Sequence, residues 1–256
     1  MEFAEFRNQV QRYFGLDLNS YKENQLRRRL DSLLARRKIA NYGDFFKLMS
    51  SSRDEYISFL DYLTINVSEF FRDPKMFQTL ETKVLPELLV KNAKLNIWSA
   101  ACSIGAEPYS VAIILEEIST NKQHRIDATD LDQSIIQKAK MGVYNADIVK
   151  NVSPQRLNKY FTKDNDKYLI NQQIKNKVTY KQHDLLSSPY PKGYDLILCR
   201  NVTIYFTREA QEKLNRQFSQ SLKPGGYLFI GGSETIFNYA ELGLTKTAPC
   251  FYKKMG

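Results

Sequence analysis

The stretch Ile97 to Ser110, IWSAACSIGAEPYS, limits the folds open to this chain more than any other part of it. It passes from an apolar strand, through small residues, into a helix whose first turn carries Glu107 and Pro108. With only Ala100, Ala101 and Gly105 at the strand end, few side chains keep a ligand from the backbone. In a doubly wound α/β sheet, the loop between the first strand and first helix is where nucleoside-containing cofactors bind. A single glycine makes this a weaker signal than a three-glycine fingerprint, so the rest of the chain must supply the specificity.

The remainder alternates in the same way. Strands are expected at Leu95 to Ala101, Arg125 to Asp130, Val178 to Asp184, Tyr194 to Arg200 and Gly226 to Ser233. Between them, helices are expected at Glu107 to Ser119, Gln133 to Met141 and Arg208 to Leu222. Interleaved strands and helices imply a parallel sheet covered on both faces. Lys223-Pro224-Gly225-Gly226 reads as a sharp turn into the fifth strand. Leu244 to Thr247 and Phe251 to Lys253 read as two short closing strands. Residues 144–177 interrupt the alternation and read as a small antiparallel insertion around Tyr168 to Ile170, since long insertions in compact domains are usually functional or disordered.

The first seventy or so residues differ. Phe3, Phe6, Val10, Tyr13 and Phe14 recur at helical steps, as do Leu26, Leu30, Leu33 and Leu34. Phe45, Phe46, Leu48 and Met49 form a third such set, and Tyr56, Phe59, Leu60 and Leu63 a fourth; Asn41 and Ser52 suit helix starts. Residues 1–73 are therefore expected to form a helical bundle docked on a catalytic domain of residues 74–256. No glycine- or proline-rich linker divides them.

Composition closes several classes. At 43% hydrophobic and 25% charged residues the chain can pack a core, and no apolar run is long enough to span a membrane. The N-terminus carries no secretion signal. Cys102, Cys199 and Cys250 are far apart and His124 and His183 isolated, which points to free thiols in a reducing cytoplasm and to no metal site. The net charge of +9 calls for an anionic partner without saying which: nucleic acid, lipid or an acidic protein.

Acidic residues at strand ends suit a ribose, because a carboxylate accepts from both hydroxyls. Asp130 is assigned that role; Asp132 is assigned the N-cap of the following helix. Asp184 and Leu185 end the third strand where an adenine would lie, and Asn201 and Val202 follow the fourth. Glu107 in a first helical turn is favoured by the helix dipole whatever its function. A phosphate would nevertheless be repelled there, so a cationic cofactor such as S-adenosylmethionine fits better than a dinucleotide.

IWSAACSIGAEPYS resembles the cofactor loop of the chemotaxis receptor methyltransferases, the CheR family. So do DATDLD, HDLL, CRNVTIYF, KPGGYLFIGGSE and the junction TINVSEFFRDPKMF, which matches the family's N-x-[TS]-x-F-F-R. The resemblance covers nearly the whole chain; the departure is Ala101 where generic methyltransferase loops carry glycine. It implies a Rossmann-like S-adenosylmethionine-dependent methyltransferase sheet, with Asn66, Ser68 and Arg72 reaching the cofactor. Phe70 and Phe71 could instead merely plug the junction. It also implies methylation of receptor glutamates to γ-glutamyl esters, with S-adenosylhomocysteine as product and no metal. Arg72 would orient the carboxylate. Tyr205 is a second substrate-side candidate, or else packs with Phe206 beneath the sheet. Arg27, Arg28, Arg29, Arg36, Arg37 and Lys38 would dock acidic receptor helices, or simply form a solvated face. The protein would act as a cytoplasmic monomer without entering the membrane. The insertion, glycine-free over Lys163 to Ile170, is not expected to hold a receptor tether tightly. An RNA methyltransferase would share the basic charge, but N-P-P-Y is missing and no RNA-binding module is present. A non-catalytic S-adenosylmethionine sensor is disfavoured by the intact set Asn66, Arg72, Glu107, Asp130 and Asn201.

Overall fold

The computed structural model describes residues 1–64, 68–120 and 122–256. Four helices come first: α1 (Phe3–Phe14), α2 (Glu23–Arg37), α3 (Tyr42–Ser51) and α4 (Arg53–Leu63). Asn41 and Ser52 cap α3 and α4 by accepting from the backbone N–H groups of Asp44 and Glu55. The apolar faces of the four helices meet in a core of their own, with Phe6, Leu30, Phe45 and Phe59 fully or almost fully buried. Tyr13 does not join it; its ring lies largely exposed, edge-on to Phe14 and Phe46.

Helix α5 (Pro74–Thr79), a π turn (Leu80–Val84) and α6 (Leu85–Lys91) lead into strand β1 (Asn96–Ala100). Then follow α7 (Ala106–Ile118), β2 (Arg125–Asp130) and α8 (Gln133–Met141). The insertion comes next: β3 (Val143–Asn145), α9 (Pro154–Tyr160), β4 (Phe161–Asp164), β5 (Lys167–Ile170) and α10 (Gln172–Lys175). The chain returns through β6 (Val178–Gln182), β7 (Tyr194–Cys199), α11 (Arg208–Ser221), β8 (Leu222–Ile230), β9 (Leu244–Ala248) and β10 (Phe251–Lys254).

The main sheet runs β6-β2-β1-β7-β8-β10-β9, parallel through its first five strands and closed by an antiparallel hairpin. Alternate residues feed opposite faces. Ile97, Leu196 and Phe229 pack beneath one layer of helices, and Trp98, Ile197 and Leu228 beneath the other. The insertion forms a separate antiparallel sheet, β3-β5-β4.

One turn differs from expectation. Lys223 to Gly226 do not precede the strand but bulge out of it: Tyr194 faces Leu222, and Leu196 already faces Tyr227. Gly225 takes φ 79°, and a Cβ on Gly226 would crowd three backbone oxygens at 3.0–3.1 Å. The bulge therefore needs both glycines.

The helical region docks on the sheet domain through backbone as well as side chains. Tyr21 and Phe206 form an antiparallel bridge. Ser134 donates its hydroxyl to Asp61 at 3.0 Å, and Lys138 pairs with the same carboxylate at 3.6 Å.

Candidate active site

A cavity of about 970 Å³, counted to its open mouth, lies at the carboxyl ends of β1, β2, β6 and β7. Strand order reverses here, between β1 and β7, which is where open α/β sheets bind ligands. Ser68, Arg72, Ala101, Glu107, Asp130, Asp184, Leu185, Asn201, Val202 and Tyr205 all line it. Asn66 lies outside the described residues.

The loop after β1 is held open by its backbone. Ala101 takes φ 63° and Ser103 φ 49°. Alanine thus occupies a left-handed position where glycine would be free of cost. The Cys102 N–H donates to the Thr129 carbonyl at 2.9 Å, and the Ser103 N–H to Asp130 Oδ2 at 2.8 Å. Asp130 also accepts from the Asp132 N–H at 3.1 Å, and burial raises its carboxyl above the usual range. The Leu131 N–H reaches the same carboxyl, which leaves one lone pair for a ligand. Asp132 caps α8, accepting from the Ser134 N–H.

Asp184 lines the cavity beside Leu185 and also holds its own turn. Its carboxylate caps its own turn, accepting from the Leu186 N–H at 2.9 Å and the Ser187 hydroxyl at 2.8 Å. Neighbouring His183 also lines the cavity, with Nε2 buried and unpartnered among the described residues. Burial lowers its pKa and keeps the ring neutral.

Glu107 is no lone negative charge. It accepts from the Ser99 hydroxyl at 2.8 Å and from Arg200 Nη1 at 3.3 Å. Burial raises its carboxyl, and Arg200 and Ser99 pull it back. The Arg200 side chain, only 2% exposed, also reaches Asp73 at 2.6 Å and the Arg72 carbonyl at 3.2 Å. Its guanidinium lies 4.5 Å from the Phe229 ring centroid. One buried cation thus joins the first turn of α7 to the segment bearing Arg72.

That segment faces two ways. Phe70 and Phe71 plug the core, with Phe70 edge-on to Tyr144 and Phe161, while Ser68, Glu69 and Arg72 face the cavity. Arg72 sits between two left-handed residues, Phe71 at φ 51° and Asp73 at φ 61°. With Ala101, Ser103 and Asn201 (φ 61°), backbone strain concentrates around the cavity; each such residue costs about 1–3 kcal/mol and persists only where its surroundings enforce it.

Asn201 and Val202 owe their position to Glu234. That buried carboxylate accepts from the N–H groups of Gly231, Asn201, Val202 and Thr203 at 2.6–3.1 Å, and from the Thr203 hydroxyl at 2.7 Å. Tyr205 ends the following 3₁₀ turn (Thr203–Tyr205), and both it and the buried Phe206 line the cavity.

The basic helix needs a correction. Arg27, Arg28, Arg36 and Lys38 are exposed, but Arg29 and Arg37 turn inward. Arg29 donates to the Tyr62 and Leu63 carbonyls at the C-terminus of α4, and Arg37 pairs with Glu55. A guanidinium there satisfies orphan carbonyls and the negative end of the helix dipole.

Sequence reasoning missed Tyr21, His183, Arg200 and Glu234. Arg200 and Glu234 lie within quoted motifs, where a charge next to an apolar strand was the available signal; Tyr21 gave none.

The residues fit S-adenosylmethionine on chemical grounds. Carboxylates at the strand ends can take ribose hydrogens, and a buried His183 nitrogen awaits a partner. With the antiparallel hairpin closing a doubly wound sheet, this defines an S-adenosylmethionine-dependent methyltransferase. Residues 1–64 match the family model "CheR methyltransferase, all-alpha domain", and residues 66–248 match "CheR methyltransferase, SAM binding domain". The chain belongs to the CheR methyltransferase family. It is 41% identical to the chemotaxis protein methyltransferase of Listeria monocytogenes, over 99% of this chain and 97% of that one. It is 34% identical to the protein of that name from Borreliella burgdorferi, over 94% and 89%. It is 35% identical to chemotaxis protein methyltransferase 1 of Pseudomonas aeruginosa, over 94% and 92%. Among the described residues, no helix is long and apolar enough to cross a membrane, and no three His, Cys, Asp or Glu are grouped to hold a metal.

Proposed function

We propose that the protein methylates glutamate side chains on the cytoplasmic helices of transmembrane chemoreceptors, forming γ-glutamyl methyl esters. Arg72, placed in the same cavity as the strand-end carboxylates, carries this reading. Its guanidinium gives an anionic substrate a partner beside the cofactor.

Bound S-adenosylmethionine supplies an electrophilic methyl group that a substrate carboxylate takes in line. Asp130 would accept from the ribose, the backbone at Leu185 and Val202 would read the base, and Glu107, Asn201, Ser68 and Asn66 would hold the amino-acid end. No general base is needed, because a glutamate of pKa about 4.3 is more than about 99% ionised at pH 7. The residues therefore contribute alignment and exclusion of water. Positioning of this kind is worth about 7–11 kcal/mol. Arg72 orients the carboxylate, and Tyr205 forms the neighbouring wall. The protein works as a cytoplasmic monomer, needs no metal and acts on no nucleic acid.

Incubation with S-adenosylmethionine and receptor membranes should add 14 Da (one CH₂) to receptor glutamates, as read by peptide mass spectrometry. Arg72→Ala is expected to lower this rate by about 100-fold or more, as for loss of a positioned charged donor. An unmodified receptor, or undiminished activity in the variant, would refute the assignment.

The exposed part of α2 supplies docking. Reversing Arg27, Arg28 and Arg36 to Glu is expected to raise KM for receptor membranes about tenfold and flatten its salt dependence, leaving cofactor affinity within about twofold. Equal KM values at low salt would place docking elsewhere.

A further inference from the structure

We propose that Tyr21, a residue of the helical region, belongs to the cofactor site, its phenol donating a hydrogen bond to the ribose of S-adenosylmethionine. This rests on reading the cavity as the cofactor site. Tyr21 is the part of the α1–α2 loop that lines the cavity, alongside Asp130, Asp184 and Leu185.

Its position is fixed from both sides. The Lys22 N–H donates to the Tyr205 carbonyl at 2.9 Å, and the Thr207 N–H to the Ser20 carbonyl at 2.8 Å. Tyr21 itself bridges Phe206 through the backbone, and its ring stands edge-on to Phe206 at 5.0 Å. A residue needed only to join two domains could complete this bridge with any side chain. Here the residue also lines the cavity, and its phenol lies within the influence of Asp184 and Asp130.

Its hydroxyl also meets a chemical need. Each ribose hydroxyl has one hydrogen to give and an oxygen that can accept. Carboxylates only accept, so Asp130 can take a ribose hydrogen but cannot serve a ribose oxygen. A neutral phenol can. Burial raises the Tyr21 pKa above its ordinary value, and the Asp184 and Asp130 charges raise it further. The group thus stays a donor throughout the working pH range. One consequence is that the helical region, and not the sheet domain alone, sets cofactor affinity.

The test is calorimetric titration of the full chain with S-adenosylhomocysteine and with its 2′- and 3′-deoxyribose analogues. Tyr21→Phe keeps the ring, the bridge and the packing, so its thermal midpoint should match the wild type. We expect it to bind S-adenosylhomocysteine about fivefold to tenfold more weakly, in keeping with one lost hydrogen bond. Its preference for the ribose form over one deoxy analogue should shrink by the same factor. Binding within twofold of wild type would overturn the proposal, as would equal weakening toward all three ligands. A wild-type chain that fails to bind S-adenosylhomocysteine would instead overturn the cofactor reading beneath it.

Discussion

Replacing Arg200 with methionine is expected to destabilise the fold by about 3–5 kcal/mol, the cost of stranding a buried charge. Its side chain is 2% exposed and that of Glu107 13%, so water can replace little of what the guanidinium provides. The arm to Asp73 contributes less, because that carboxylate is 45% exposed and screened. The loss should depend on pH. Burial already raises the Glu107 carboxyl, with Arg200 the largest opposing influence. Without Arg200 its folded-state pKa rises further above the unfolded value. A raised carboxyl contributes stability that is present below the unfolded pKa and lost as pH climbs through the folded one. The deficit of the variant should therefore be smaller near pH 5 than at pH 8 in urea unfolding. Arg200→Lys keeps the charge but cannot fork between Glu107 and the Arg72 carbonyl, and should fall between the two. A deficit equal at both pH values would show that the pair is not the source of the effect.

The second large effect is expected at Glu234. One carboxylate holds four backbone N–H groups from two loops, and hydrogen bonds to a charged acceptor are worth about 1.5–3 kcal/mol each. Glu234→Gln turns one acceptor oxygen into a donor facing those N–H groups, whichever way the amide is flipped. We expect a loss of about 2–4 kcal/mol, from at least two buried donors left unpaired. Asn201, left-handed at φ 61°, would no longer be held there, so S-adenosylhomocysteine affinity should fall by more than about tenfold. Gly231→Ala should act in the same direction, since its Cβ would stand 2.8 Å from Glu234 Oε2 and 2.9 Å from the Asn201 nitrogen. A Glu234→Gln protein with wild-type stability and affinity would show that the loop is held by other means.

Much of this was legible in the sequence. Strand β2 and helix α8 have the bounds that periodicity indicates, because Asp132 and Gly142 mark both ends of the helix locally. The helix starts at Asn41 and Ser52 were readable for the same reason. The cavity residues were legible because strand ends in an alternating α/β chain converge on one edge of the sheet. What stayed hidden depends on tertiary neighbours. Strands β3 and β4 are short and half exposed, so neither shows a usable alternation. Arg29 and Arg37 share a charge with Arg27 and Arg28, and only the position of α4 turns them inward. Arg200 and Glu234 read as ordinary charges until the fold buries them. Tyr21 reaches the cavity through a bridge to a residue far along the chain, which no local pattern records.

The chemistry of the transferred methyl group tests the proposed function most directly. The purified protein would be incubated with tritiated S-adenosylmethionine and receptor-containing membranes, then treated with base. Glutamyl methyl esters require label in the receptor that base releases as volatile methanol, formed about 100-fold or more slowly by Arg72→Ala. Base-stable label, or label in RNA added to the same mixture, would contradict carboxyl methylation.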